Sequence, residues 1–168
     1  MSLAVLVATG TSTGLLRMNG LTEPAVFGAA GIVRHKEEGD GGTPAGRFPL
    51  HRLLFRADRL LAPPGPLPRE PLSPGDGWCD DPAHPDYNRQ VSLPHPARHE
   101  RLWRDDHVYD VVGVLGHNDD PPVPRRGSAI FLHLCRPDRA PTEGCIALEK
   151  DGLWRLLAAG LSEIEIPA

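Results

Sequence analysis

The sequence lacks three features that would each have fixed a class at once. It has no excess of positive charge: 18 Lys and Arg stand against 22 Asp and Glu, for a formal net charge of -4. A nucleic-acid surface needs clustered cations to displace phosphate counterions, so no nucleic-acid partner is expected. The one local basic pair, Arg125-Arg126, reads as a solvated loop. It also lacks any apolar run near the roughly 18 to 20 residues that cross a bilayer, so a soluble chain without a membrane span is expected. Met1 to Gly10 is apolar but has neither a basic start nor a convincing cleavage site, and reads as a first strand rather than a signal peptide. Cysteine is scarce. Cys79, Cys135 and Cys145 are too few and too irregularly spaced for a disulfide scaffold or paired zinc knuckles, and an odd count leaves at least one thiol free.

Glycine and proline, by contrast, are abundant, at 18 and 19 of 168 residues. They punctuate regular structure, which favours short strands joined by long ordered loops. The length suits one domain over residues 1–168 and too small a core for two. Strands are expected at Leu3 to Ala8 and Leu15 to Met18 as a hairpin, then within 25–33, at Phe48 to Phe55, Val108 to Leu115, Ala129 to Leu134, Cys145 to Leu148 and Ile164 to Ile166. The proline-rich stretch 62–77 reads as an extended loop. One helix is expected from Leu153 to Ala159, capped by Asp151 and stopped by Gly160. The tally is mainly β.

Chemistry concentrates at one place. His133 ends the strand AIFLHL, and Cys145 follows twelve positions later across a loop that can fold back and set imidazole beside sulfur. Thiol catalysis needs a nucleophile, a base and donors for an oxyanion. Gly144 allows a tight backbone that presents amide N–H groups beside Cys145. One Cys and one His at this spacing are equally consistent with a buried structural cysteine and a satisfied strand histidine.

Further motifs favour the catalytic reading. GSAIFLHL at 127–134 followed by PTEGCIALE at 141–149 resembles the signature of the L,D-transpeptidase (YkuD-type) catalytic domain, in which a strand histidine precedes a Ser/Thr-His-Gly-Cys turn. DGGTPAGRFPL at 40–50 resembles that family's glycine-rich Thr-Pro-x-Gly segment. GWCDDPAHPDYNRQV, HERLWRDDHVYDVV and GHN resemble a bacterial branch of it, so the resemblance covers roughly residues 31 to 160.

The resemblance implies a mainly β fold, with a curved mixed β-sheet or sandwich, long ordered loops and one or two short helices. It implies a thioester on Cys145 formed from a peptidoglycan stem peptide, with transfer to an amine or to water. In it His133 is the base, the N–H groups of Gly144 and Cys145 hold the oxyanion, and Thr142 braces the turn. The expectation is a monomer that needs no cofactor and no metal, and the resemblance implies the periplasm or cell envelope. Two positions depart from the motif: Glu143 replaces the usual histidine, and Ala147 an Arg or Asn. A carboxylate beside the nucleophile disfavours thiolate and repels an anionic donor, which keeps open an amidase for another substrate or a cell-wall binding module. His117 and Asn118 are expected to line the cleft or to position its loop. Cys135 is expected on the same face as His133, as core filler. Cys79, Asp80, Asp81, His84, His95 and His99 are too irregular for a metal site, and Trp78, Tyr87 and Trp103 read as packing.

Overall fold

A computed structural model describes residues 1–168. In chain order the strands are β1 (Ser2–Ala8), β2 (Thr13–Met18), β3 (Leu21–Val26), β4 (Ile32–Val33), β5 (Thr43–Pro44), β6 (Gly46–Phe55), β7 (Arg69–Pro71), β8 (Asp76–Cys79), β9 (Arg89–Ser92), β10 (His99–Arg101), β11 (Val111–Leu115), β12 (Phe131–Leu134) and β13 (Ile146–Leu148). The single helix α1 (Lys150–Ala158) and β14 (Leu161–Ile166) complete the chain. The main sheet runs β11-β12-β13-β3-β2-β1-β14-β6-β7, and β6 also pairs with β11. The ends of the order therefore meet, and the sheet curves round on itself. It is mixed: β1 with β14 and β12 with β13 are parallel, and most other neighbours antiparallel. The fold is thus the mainly β, curved mixed sheet expected, with one helix.

Strand alternation sorts side chains into two cores. On the inner face Leu6, Leu16, Leu53, Leu132, Ile146 and Leu148 meet the α1 residues Leu153, Leu156 and Leu157. Each of these α1 leucines is at most 1% exposed, which contributes about 2 kcal/mol apiece. On the outer face Val112, Val114 and Phe131 pack with Leu102, Trp78, Tyr109 and Cys145. This second core is covered by the small sheet β10-β8-β9, built from the segment that the proline-rich loop leads into. Cys145 belongs to this second core, and His133 lines the same cleft.

The structure differs from the expected elements in several places, among them the stretch 62–77, where β7 pairs with β6 and β8 begins instead of one continuous loop. Residues 25–33 are not one strand, because Gly28 lies so close to the Gly41 carbonyl that a Cβ there would stand 2.4 Å from it, and Gly31 turns the chain at φ +82. The expected hairpin is present as β1–β2, and a second hairpin not expected, β2–β3, turns at Asn19-Gly20, both at positive φ, the two-residue turn those residues favour. Residues 108–110 form a turn, since Asp110 is buried against Arg59 and His107 rather than alternating in a strand. The N-cap of α1 is Glu149, whose side chain makes no capping bond; Asp151 sits inside the first turn, favourably placed toward the helix dipole, and Gly160 at φ +97 ends the helix as expected.

Candidate active site

β12 and β13 run parallel, with His133 opposite Ala147 and Leu132 opposite Ile146. Cys145 precedes Ile146 and so falls on the face of Ala147 and His133, away from the inner core. Two residues of strand rise and one interstrand step place the two Cα atoms about 8 Å apart, within reach of their side chains. Both residues line one cleft of about 690 Å³.

Cys145 is 9% exposed. It donates to the Ala129 carbonyl at 3.2 Å and accepts the Phe131 N–H at 3.3 Å. It makes no hydrogen bond to His133, so the expected imidazole-sulfur contact is a shared cleft rather than a closed pair. Ala129 holds its carbonyl on the sulfur at φ 53, a left-handed conformation that a non-glycine residue adopts only when its surroundings impose it. The imposing group is Asn88. Its Oδ1 accepts from Ala129 N–H and Trp78 Nε1–H, and its Nδ2 donates to the carbonyls of His117 and Asn118.

His133 is buried and its Nδ1–H donates to the Leu134 carbonyl at 2.8 Å, which fixes the tautomer and leaves the Nε2 lone pair free. Burial pushes its pKa down to about 4, so the ring is neutral at pH 7. Burial, reinforced by the Glu100 carboxylate and more weakly by Glu143, pushes the Cys145 thiol up to about 12. The resting site is therefore a neutral thiol beside a neutral imidazole. Tyr109 lies between the two sheets, its ring 5.4 Å from that of His133 and its hydroxyl donating to Glu100. Burial raises the Glu100 carboxyl above its usual range.

The turn that carries Cys145 is pinned from three sides. Thr142 Oγ1 donates to the Cys145 carbonyl at 2.6 Å and accepts the Gly144 N–H at 3.1 Å. Thr43 Oγ1 donates to the Gly144 carbonyl at 2.8 Å and accepts Gly28 N–H. Gly144 itself sits at φ +149, and a Cβ there would meet the Gly42 carbonyl at 2.8 Å. Gly144→Ala is expected to lower stability by about 1–3 kcal/mol, read as the urea midpoint; an unchanged midpoint would show that the turn tolerates a side chain. The Gly144 N–H is thus already engaged by Thr142, whereas the Cys145 N–H has no protein acceptor.

Not every residue singled out from sequence reaches the cleft. Glu143 lines it, exposed, and Thr142 forms its edge. His117 and Asn118 do not line it: His117 Nε2–H donates to the Arg126 carbonyl, and Asn118 bonds Val123 and Gly127, so both brace the loop behind it. Cys135 is half-buried and lines the cleft instead of filling a core, because β12 ends at Leu134 and the chain turns outward. Trp78 packs on Phe131 at 5.0 Å and Trp103 under the Arg56 guanidinium, both packing roles.

The residues that sequence spacing did not single out are Lys36, Glu38, Thr43, Asn88, Glu100, Arg104, Tyr109 and Ala129. Glu38 accepts from Tyr87 OH and Ser128 Oγ, tying the glycine-rich segment to the strand that carries His133. His84, Asp86 and His95 come together within 4.8 Å, with the His99 ring 6.2 Å from that of His95. Each of His84 and His95 accepts a backbone N–H at Nδ1, which places its proton on Nε2, and His95 donates that proton to Asp86 at 2.9 Å. These bonds brace the loop between Asp81 and Ala97.

No curated protein and no solved structure matches the chain. A family model does, over residues 4–159, and its span takes in the His133 strand, the Cys145 turn and the glycine-rich segment that pins it. By that match the chain belongs to the L,D-transpeptidase catalytic domain (YkuD) family.

Proposed function

We propose that the protein is an L,D-transpeptidase-type cysteine acyltransferase acting on peptidoglycan stem peptides, with Cys145 as nucleophile and His133 as base. The observation that supports it most is the placement of a thiol and a neutral, tautomer-fixed imidazole on one face of the same cleft. As the donor carbonyl arrives, the thiol turns from Ala129 toward Nε2 of His133. The proton passes to that nitrogen as the S–C bond forms, and the carbonyl oxygen becomes an anion facing the Cys145 N–H, with Gly144 N–H shared from Thr142. The C–N bond then breaks, His133 returns its proton to the departing D-amino acid, and a thioester remains. An acceptor amine gives its proton to His133 and attacks the thioester; the S–C bond breaks and the proton returns to sulfur.

The cleft also bears on the acceptor. Five carboxylates, Glu38, Asp80, Glu100, Asp138 and Glu143, face only three cations, Lys36, Arg104 and Arg136. A surplus of negative charge in a concave site concentrates cations, which favours an acceptor that arrives as an ammonium and releases one proton to solvent before it attacks as the amine, such as the side-chain amine of a second stem.

Because the resting thiol is protonated, iodoacetamide is expected to alkylate Cys145 at pH 7 more than roughly a hundredfold slower than free cysteine, and about tenfold faster per pH unit up to pH 10. A plateau below pH 8 would mean a preformed thiolate-imidazolium pair. Slow alkylation therefore does not distinguish this enzyme from a binding module; turnover does. Incubation with a disaccharide tetrapeptide should release D-alanine, and Cys145→Ala should release none. Absence of release from the unaltered protein would sink the proposal.

A further inference from the structure

Behind the segment that holds the thiol lies a second cavity, of about 420 Å³, which the acyl-transfer chemistry leaves unused. It shares Ile130 with the catalytic cleft and is walled by Phe131, whose N–H is bonded to Cys145 on the other side. Its charge is opposite to that of the cleft. Arg52 from β6 and Arg89 from β9 both line it, and the one carboxylate in its wall, Asp119, is already bonded to His51 Nε2 at 3.0 Å.

Arg52 is the unusual member. Its Nη1 is the one buried side-chain nitrogen or oxygen in the protein without a hydrogen-bond partner. A buried charged donor left unpaired forfeits more than a neutral one, and native structures supply it with a partner. The other part-buried guanidiniums follow that rule: Arg56 bonds Asp58, Arg59 bonds Asp110, and Arg104 bonds Asp106. Arg89 is exposed and also lacks a carboxylate, since Asp86, whose charge it feels, is bonded to His95 instead. Two unpaired guanidiniums facing one recess match the fork geometry that recognises a carboxylate. The remaining wall includes Trp78, Val114, Ile130 and Phe131, and the volume exceeds that of an inorganic ion.

The geometry points to a binding site for a small organic carboxylate, its oxygens held by Arg52 and Arg89 and its apolar part against Phe131 and Trp78. The site is separate from the catalytic cleft, whose surplus of carboxylates repels such a ligand. Two sources share this chemistry, a free aromatic or aliphatic acid and the C-terminus of a peptide, and they are separable by probe.

The test is titration of the full chain with benzoate, with N-acetyl-D-alanine and with neutral benzamide, followed by backbone amide chemical shifts. Saturable binding by at least one of the two acids is expected, with shifts centred on residues 51–52, 88–90 and 114–119 and none from benzamide. Benzoate alone would identify a free acid as the ligand class, and N-acetyl-D-alanine alone a peptide terminus. Arg52→Met should weaken binding about tenfold or more, and the exposed Arg89→Met, which puts no buried contact at risk, severalfold, while Arg104→Met in the catalytic cleft leaves it unchanged. Binding by neither acid, equal binding of benzamide, or full affinity in Arg89→Met would overturn the assignment.

Discussion

His133→Asn is expected to slow acylation of Cys145 by about 10²–10⁴-fold, the usual contribution of a positioned general base. The reason lies in the resting ionisation. A thiol pushed up to about 12 by burial and by Glu100 supplies almost no thiolate at neutral pH, so the proton must leave during attack. His133 Nε2, with Nδ1–H fixed on the Leu134 carbonyl, is positioned to take it. Asparagine keeps the size and the donor but has no basic nitrogen. The check is the rate of covalent labelling by a carbapenem, whose strained amide acylates an active thiol. The variant should be slow at pH 7 and recover as pH rises, since hydroxide then replaces the missing base. Unchanged labelling in His133→Asn would show that another group removes the proton.

The second large effect is on stability in acid. His133 has a pKa near 4 in the folded protein against an ordinary value of 6.5. Between those values the unfolded chain binds a proton that the folded one refuses, so the neutral buried ring contributes stability that is complete above pH 6.5 and is lost as pH falls toward 4. The shift corresponds to a loss on the order of 3 kcal/mol across that window. His133→Asn should lack this component, so the difference between the two proteins in urea-unfolding free energy should narrow or reverse on acidification from pH 7 to pH 4. Glu100, whose carboxyl is raised by burial, acts in the opposite sense as pH falls toward its ordinary value, and its effect cancels in the comparison. Parallel pH profiles would mean that His133 is not buried as a neutral ring.

What the sequence made legible follows the range of the interactions involved. Leu3 to Ala8, Phe48 to Phe55 and Ala129 to Leu134 carry their own alternation or branched-residue content; the first two lie on strands of the structure, and the third contains β12, which begins only at Phe131. Cys145 and His133 were legible as candidates because strand, loop and Gly144 sit within a few residues of one another. Asn19-Gly20 was a readable hairpin signal that the spacing of apolar residues alone passed over. By contrast, nothing local marks Asn88 as the clamp on Ala129, 41 residues away, or Thr43 as the pin on Gly144, 101 residues away. Those roles exist only after the sheet has closed. The same holds for the charge of the two cavities: Glu100 and Arg52 look like ordinary surface residues in sequence, and their half-buried, cavity-lining positions on β10 and β6 exist only after the sheets have assembled. His117 and Asn118, placed near the cleft by their position at a strand end, turn away because Asn88 takes their carbonyls.

The central claim is a thioester on Cys145, and intact-mass spectrometry during incubation with a disaccharide tetrapeptide tests it most directly. The account predicts a transient adduct equal to the donor less D-alanine, discharged by added amine and absent from Cys145→Ala. D-alanine release that persists in Cys145→Ala, or an adduct carried on another residue, would contradict it.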